Sequence, residues 1–454
     1  MGRHGDAETR RDGESDALRV PASPLSESPI SPASGSQSRF VFLDGMRGFA
    51  ALCIASYHIW RYEPAPYAAE HAMPEWGDWL LKHAWIGVQI LLVQSGFVIA
   101  YTLRNTVVTP RTALAFVARR LVRLVPPYWV TVALVVAVHG VCVAWGRFPS
   151  LLEEPPTAAG VLAQMFYLQD ILGYGNLSAG LWTVAIEVQF YVVFVVGLGL
   201  AQRWRRNAAV DANLVSPRTD DFVRSTQGSV PRTQHSVLST QHSALSTRDG
   251  PIRTPSPIGL LVLFGIPAAW ALFNWNRQDT NEQWVHHFLF QFFLGMVTWW
   301  ALERTVPLLV FWGTIAVVAG QMVFDHSLTS PEVVARVVTL ATAVSMFIAG
   351  RTNHFHDWLN WRWLQYLGRI SYSLYLVHYP VSHVVTWLGW LACNNSPNPA
   401  QSAVILSSSL VGSIAAGHLL YVTVEVPSVR WAARLKSPTK REESATTQTE
   451  KGNA

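Results

Sequence analysis

Long apolar runs dominate the chain, and polar residues interrupt them at few places. Runs of spanning length lie near 41–60, 86–103, 128–146, 181–201, 258–275, 285–301, 307–324, 332–350, 368–390 and 402–424. A hydrocarbon core about 30 Å thick takes roughly 20 helical residues to cross, so each run predicts a membrane-spanning helix. The segment 158–172 differs: it is amphipathic and interrupted by Gln164, Gln169 and Asp170.

The basic residues predict orientation, because Lys and Arg gather on cytoplasmic flanks. Arg104, Arg111, Arg119, Arg120 and Arg123 follow the second run, and Arg203, Arg205 and Arg206 follow the fourth. Arg351, Arg362 and Arg369 flank the start of the ninth, and Arg430, Arg434, Lys436, Lys440 and Arg441 follow the tenth. The loops between them are poor in Lys and Arg and hold Glu63, Glu70, Glu75, Asp78, Glu153, Glu154 and Asp279. An all-α polytopic fold of ten spans, with both termini cytoplasmic, satisfies every one of these positions. Counting 158–172 as a span would place the Arg203–Arg206 cluster outside, so that segment is expected to be interfacial or re-entrant.

This pattern divides the chain into 1–39, a polar Ser- and Pro-rich cytoplasmic segment; 40–206, four spans; 207–257, a cytoplasmic linker; 258–430, six spans; and 431–454, a polar cytoplasmic tail. Residues 1–39 contain no apolar stretch that would serve a cleaved signal peptide, so the first span is expected to be its own insertion signal. The linker holds a tandem repeat, Thr233-Gln-His-Ser-Val-Leu-Ser and Thr240-Gln-His-Ser-Ala-Leu-Ser. Such a tract buries too little apolar area to offset its ordering entropy. Its composition therefore favours a flexible linker over a metal site at His235 and His242.

Composition changes this picture little. Of 454 residues half are hydrophobic, 14% are charged and 20 are Trp, as in a polytopic membrane protein. The net charge of +5 is explained by the basic flanks of the spans and does not point to nucleic acid. Of the three cysteines, Cys53 and Cys142 lie in apolar runs and none forms a C-x-x-C, so neither a disulfide framework nor a metal site is expected.

Ionisable groups inside spans are costly, which makes them candidates for function. Arg47 and His58 share the first span; eleven residues apart, they fall on one helix face with about 16 Å between their levels. Glu187 lies six residues into the fourth span, which places it at the depth of His58 in the outer half. A carboxylate there could hold the imidazole in one tautomer. An unrelated pair of polar residues satisfying the bundle would look the same. Arg120 and Arg123 form an R-x-x-R beside Pro126 and Pro127, suited to bidentate phosphate binding or to plain anchoring at the cytoplasmic face. Thr183, Glu187 and Tyr191 share a face of the fourth span; Ser371, Tyr375 and His378 share one of the ninth. The second set serves either as polar glue between helices or as a substrate or donor channel. Ser95 and Gly96 of the second span fit close packing better than a nucleophile, with no G-x-S-x-G around them.

Six motifs then occur in order: Leu43-Asp-Gly-Met-Arg47-Gly with His58; Val93-Gln-Ser-Gly-Phe97; Arg119-Arg-Leu-Val-Arg123; Leu181-Trp-Thr-Val-Ala-Ile-Glu187-Val-Gln-Phe-Tyr191; Gly368-Arg-Ile-Ser-Tyr-Ser-Leu-Tyr-Leu-Val-His378; and Val424-Glu-Val-Pro427. Together they resemble the acyltransferase 3 family of integral membrane O-acyltransferases, which modify bacterial surface and secreted carbohydrates. The resemblance covers about 40–430 outside the linker. It implies catalysis by His58 with Glu187, binding of acyl-CoA phosphates by Arg47, Arg120 and Arg123, and a channel along Trp182, Tyr191, Ser371, Tyr375 and His378. The usual Glu-Glu-Gln reads Glu187-Val188-Gln189 here, and Leu-Ser-Gly reads Gln94-Ser95-Gly96. The added extracytoplasmic domain of many members is missing from this sequence, which suggests a small acceptor or a partner protein whose identity the sequence leaves open.

The expectation is thus an enzyme of the bacterial inner membrane moving an acyl group, acetyl first among them, from cytoplasmic acyl-CoA to a hydroxyl of an extracytoplasmic carbohydrate or glycolipid. It needs no permanently bound cofactor; acyl-CoA is a substrate. A transporter or a non-catalytic binding partner for a glycan precursor is the alternative. An internal repeat or a pair of broken helices, which would support a transporter, is not evident.

Overall fold

The computed structural model describes residues 40–62, 69, 73–147, 149–152, 154–215, 256–273, 285–324 and 330–435. The segment 1–39, most of the linker with its histidines, the tail after 435, and Glu63, Glu70, Glu153 and Asp279 lie outside them. Among the described residues the chain is helical, with no strand.

In chain order the helices are α1 (Val41–Tyr62), α2 (Glu75–Lys82), α3 (Gly87–Leu103), α4 (Pro110–Trp145), α5 (Ala158–Met165) and α6 (Leu181–Val215). There follow α7 (Pro257–Phe273), α8 (Val285–Leu302), α9 (Leu308–Phe324), α10 (Pro331–Arg351), α11 (Arg362–Ala392) and α12 (Pro399–Arg434). A helix lies in each of the ten apolar runs. Six are long and apolar enough to cross a membrane: α2 with α3, then α4, α6, α8, α10 and α12. Of the others, α7 and α9 are apolar but shorter. Helices α1 and α11 are long but more polar, carrying Asp44, Arg47, Arg362 and Arg369.

Local sequence starts these helices. Thr109 caps α4 in a reciprocal capping box with Thr112, Asn398 does the same for α12 with Gln401, and Ser330 caps α10. Each cap is followed by Pro110, Pro399 or Pro331, whose fixed φ and missing N–H suit the first helical turn. Helix α4 ends on Gly146, at φ 63°, where a glycine avoids the Cβ clash of the left-handed region.

Two glycine-mediated crossings set the core. A Cβ on Gly96 of α3 would strike the backbone of Phe292 in α8, and one on Gly295 of α8 would strike the backbone of Val93 in α3. On the other side α1 lies parallel to α11, with Gly48 against Leu364 and Gly368, and Gly368 against Asp44. Small residues let helix backbones approach where lipid supplies no hydrophobic drive. Parallel packing in this register brings residues ten positions further along the two helices to a common level, which is where His58 and His378 stand.

The segment expected to be interfacial or re-entrant dips into the bundle without crossing it. At eight residues α5 is only about 12 Å long. Its last carbonyl, that of Met165, accepts the indole N–H of Trp129, part-way along α4. The chain returns through 166–180, with Leu162, Phe166, Leu168, Ile171 and Leu172 exposed and Gln164, Gln169 and Asp170 buried. Apolar side chains outward and polar ones inward is the arrangement for a segment at lipid depth, where irregular backbone must be enclosed by protein. Gln164 donates to Tyr128 at 2.5 Å, and Asn176 and Gln169 both donate to the Asp170 carboxylate at 3.1 Å.

Candidate active site

The dip fixes where α6 begins, and so the level of its polar residues. A Cβ on Gly180, the residue before α6, would lie 2.7 Å from the carbonyl oxygen of Tyr375 and 3.5 Å from the His378 ring. Helix α6 therefore starts inside the bundle at the level of His378. Glu187, six residues on, is about 9 Å further along the helix axis. This corrects the pairing of Glu187 with His58. The depth argument assumed that α6 enters from the membrane surface, whereas its first residue already lies deep.

Nδ1 of His58 stands 2.7 Å from Nε2 of His378, and the two rings meet edge to edge, nearly coplanar, with centroids 4.9 Å apart and planes 19° from parallel. Nδ1 of His378 lies 2.7 Å from the backbone carbonyl oxygen of Tyr375. Both histidines are buried. The Ser413 hydroxyl of α12 donates to the Ser409 carbonyl at 2.7 Å and lies 3.3 Å from the backbone carbonyl of His378.

Below this pair runs an elongated cavity. Its wall on α3 extends from Val88 to Ile99, about 16 Å of helix. Arg47, Arg120 and Arg123 line it, as do Glu187, Tyr191, Ser371 and Tyr375. Of the residues expected at the site, these seven converge on one space from α1, α4, α6 and α11. His58 and His378 lie outside that lining, beyond Tyr375, whose ring centroid is 5.8 Å from that of His378. Trp182 turns away, its ring 5.7 Å from Phe288 of α8.

The cavity carries charge of both signs at its arginine end. Arg120 lies over the rings of Phe116 and Tyr191, at 5.5 and 5.3 Å. Nε of Arg123 is buried with no hydrogen-bond partner among the described residues. A buried donor left unpaired is costly, and a bound anion would satisfy it. The Glu187 carboxylate accepts from the Tyr191 hydroxyl and, at 3.4 Å, from Ser95. Arg47 feels Arg123, Asp44, Glu187 and Glu425. Glu425 lies in a π-helical turn of α12, Tyr421–Glu425, and accepts from Ser373 at 2.7 Å.

Glu425 and Tyr372 entered the sequence reading only as members of two motifs, Val424-Glu-Val-Pro427 and Gly368–His378, with no role given to either; both belong to the site, and Tyr372 lines the cavity. The Tyr372 hydroxyl donates to the carbonyl of Leu124 at 2.8 Å, tying α11 to α4 beside Pro126 and Pro127. Helix α4 continues through those prolines. The guanidinia of Arg120 and Arg123 are thereby carried on the same rod as the span above them.

Comparison with known proteins places this arrangement. A family model described as an acyltransferase domain matches residues 40–210 and 252–418. The protein named as membrane-bound transacylase BcsY, from Komagataeibacter xylinus, is 23% identical over 395 residues, covering 82% of this chain and 80% of the relative. Exopolysaccharide production protein ExoZ, from Rhizobium meliloti (strain 1021), is 33% identical over 123 residues, 26% of this chain and 36% of the relative. No solved structure matches. The family match spans both helical halves and every cavity-lining arginine, and the chain belongs to the acyltransferase 3 family of membrane-bound acyltransferases.

Proposed function

We propose that this enzyme transfers an acyl group, acetyl first among them, from cytoplasmic acyl-CoA to a hydroxyl of an extracytoplasmic carbohydrate or glycolipid, in a bacterial plasma membrane. The observation that supports it is the long cavity with three arginines at one end and a buried imidazole pair just past the other. Phosphates of the donor suit guanidinium groups, which bind them bidentately. About 16 Å of cavity suits an extended arm such as pantetheine, whose two amides and hydroxyl can meet polar groups such as Gln94, Ser95 and Ser371 along it. The thioester then arrives next to Tyr375 and the histidines.

In the transfer itself His58 takes the proton of the acceptor hydroxyl as its oxygen attacks the thioester carbonyl. The carbon–sulfur bond breaks, the ester forms, and the departing thiolate of CoA takes the proton from His58. Glu187 belongs to the donor end of this scheme: it balances the arginines and positions Tyr191. The orientation, with the arginine end and both termini cytoplasmic, rests on the distribution of Arg along the chain.

Purified full-length protein given acetyl-CoA and a hydroxyl acceptor is expected to release CoA, and His58→Ala to abolish that release while the protein accumulates near normally. A transporter or a passive binder would show no release of CoA that depends on His58.

A further inference from the structure

We propose that His378 is a positioning residue that fixes the tautomer of His58, in the place where a carboxylate stands in many His-dependent transferases; this rests on His58 being the base of the acyl transfer. The geometry is a chain of three groups: the Tyr375 carbonyl, the His378 ring and the His58 ring, each link 2.7 Å long.

The carbonyl oxygen of Tyr375 can only accept. Nδ1 of His378 must therefore carry a hydrogen and donate it. A charge on His378 would sit fully buried, facing a second imidazole, so the neutral form is the one that the site accommodates. In that form Nε2 of His378 holds a lone pair. The 2.7 Å contact is then a hydrogen bond only if Nδ1 of His58 carries the hydrogen. Both imidazoles are thus set as Nδ1–H tautomers, and Nε2 of His58 is the nitrogen whose lone pair takes the acceptor proton. When it does, the imidazolium keeps donating from Nδ1 to His378, and no proton leaves the pair until CoA departs.

The pair is held rigidly. A Cβ on Gly180 would strike the Tyr375 carbonyl oxygen that accepts from His378 and would touch the His378 ring at 3.5 Å, so no side chain intrudes between α6 and the pair. The α1–α11 crossing at Gly48 and Gly368 sets the distance between the two helices. Free imidazole favours the opposite tautomer slightly, so without His378 the base would present an N–H to the acceptor much of the time, and the imidazolium formed in the transfer would lose the buried acceptor of its Nδ1 hydrogen, a charged bond worth about 1.5–3 kcal/mol or roughly 10- to 150-fold. A carboxylate partner would do the same work but would add a negative charge to a buried space. An imidazole achieves it without that charge, which suits a site that a polyanionic donor must approach.

The test uses full-length protein with ¹⁵N-labelled histidine, and two variants. Nitrogen NMR of the wild type, with His58 assigned by its absence in His58→Ala, is expected to show protonated Nδ1 and bare Nε2 at neutral pH. His378→Phe keeps ring shape but offers no acceptor; it is expected to lower kcat about 100-fold with the KM for acetyl-CoA unchanged. His378→Gln, whose side-chain oxygen can accept from His58, is expected to recover at least ten times the kcat of His378→Phe. An Nε2–H signature for His58 in the wild type would overturn the assignment, as would equal kcat for Gln and Phe in folded protein, or wild-type kcat in His378→Phe. If His58→Ala itself still transfers, the base assignment falls first; if His58→Ala is inactive and His378→Phe is not, only the role of His378 falls.

Discussion

The Thr183 and Tyr375 hydroxyls lie 2.5 Å apart, bridging α6 and α11 where the cavity ends and the histidine pair begins. The bond stands between the cavity and His58, so on the proposed route a thioester passes it. Tyr375→Phe removes the bond but keeps the ring, and one such bond is worth about 0.5–1.5 kcal/mol net, roughly 2- to 10-fold in an equilibrium. The expected outcome is faster hydrolysis of acetyl-CoA without acceptor, by about that factor, and poorer coupling of CoA release to ester formation. Counting CoA against ester product in the two proteins measures it; unchanged coupling would show that the bond is only structural.

At the other end of the cavity the arginines are proposed to bind the donor. Arg123 has a buried, unbonded Nε, so Arg123→Ala is expected to raise the KM for acetyl-CoA with little change in kcat. A charged hydrogen bond contributes about 1.5–3 kcal/mol, which corresponds to roughly 10- to 150-fold. Arg47→Ala and Arg120→Ala should act in the same direction. Lysine at any of the three should rescue in part, because a point charge cannot grip two phosphate oxygens at once. A competing assay with dephospho-CoA would show which arginine reads which phosphate.

Glu187 distinguishes the two levels of the site. It accepts from Tyr191 and Ser95 and shares the cavity with Arg47, about two helical turns from the histidines. Glu187→Gln is therefore expected to change the apparent KM for the donor, with the saturated rate within about threefold of wild type. A saturated rate as low as that of His58→Ala would return Glu187 to the chemical step.

Much of this was legible in the sequence, and the misses have physical causes. Each apolar run holds a helix because length and hydropathy alone decide that in a lipid environment. Periodicity gave the faces shared by Glu187 and Tyr191 and by Ser371 and Tyr375; that these and Arg47, Arg120 and Arg123 serve one site was implied only by the resemblance to the family. What could not be read was the register between helices distant in sequence. His58 meets His378 because Gly48 and Gly368 let α1 and α11 pack in parallel, a contact across 320 positions. Glu187 missed His58 because the 158–180 dip lowers the start of α6, and nothing in the pattern of α6 itself records that. Trp182 lies on the opposite side of α6, facing α8, although its motif suggested the channel.

The α3–α8 crossing is expected to be the least tolerant place in the bundle. Gly96 and Gly295 each face the partner's backbone, which cannot move aside as a flexible side chain can. Gly295→Ala should cost at least the about 1–3 kcal/mol typical of overpacking, seen as a lower unfolding temperature in detergent and reduced membrane levels. Gly313→Ala, in α9 with open space around it, serves as the control and should be neutral.

Orientation is the remaining premise of the donor route, and it can be measured directly. The Arg203–Arg206 cluster at the end of α6 and the Arg351–Arg369 cluster between α10 and α11 both fall on the arginine side only if an even number of crossings separates them. On the ten-span reading, the runs at 258–275, 285–301, 307–324 and 332–350 supply four. A cysteine introduced in the 207–257 linker, in a background with Cys53, Cys142 and Cys393 replaced, should therefore resist a membrane-impermeant thiol reagent in intact cells and react after lysis. A cysteine at Ser396, between α11 and α12, should react in intact cells, because α11 carries the chain to the far side. Labelling of the linker from outside would place Arg47, Arg120 and Arg123 away from the cytoplasmic pool of acyl-CoA, and the donor would then have to enter past the histidines.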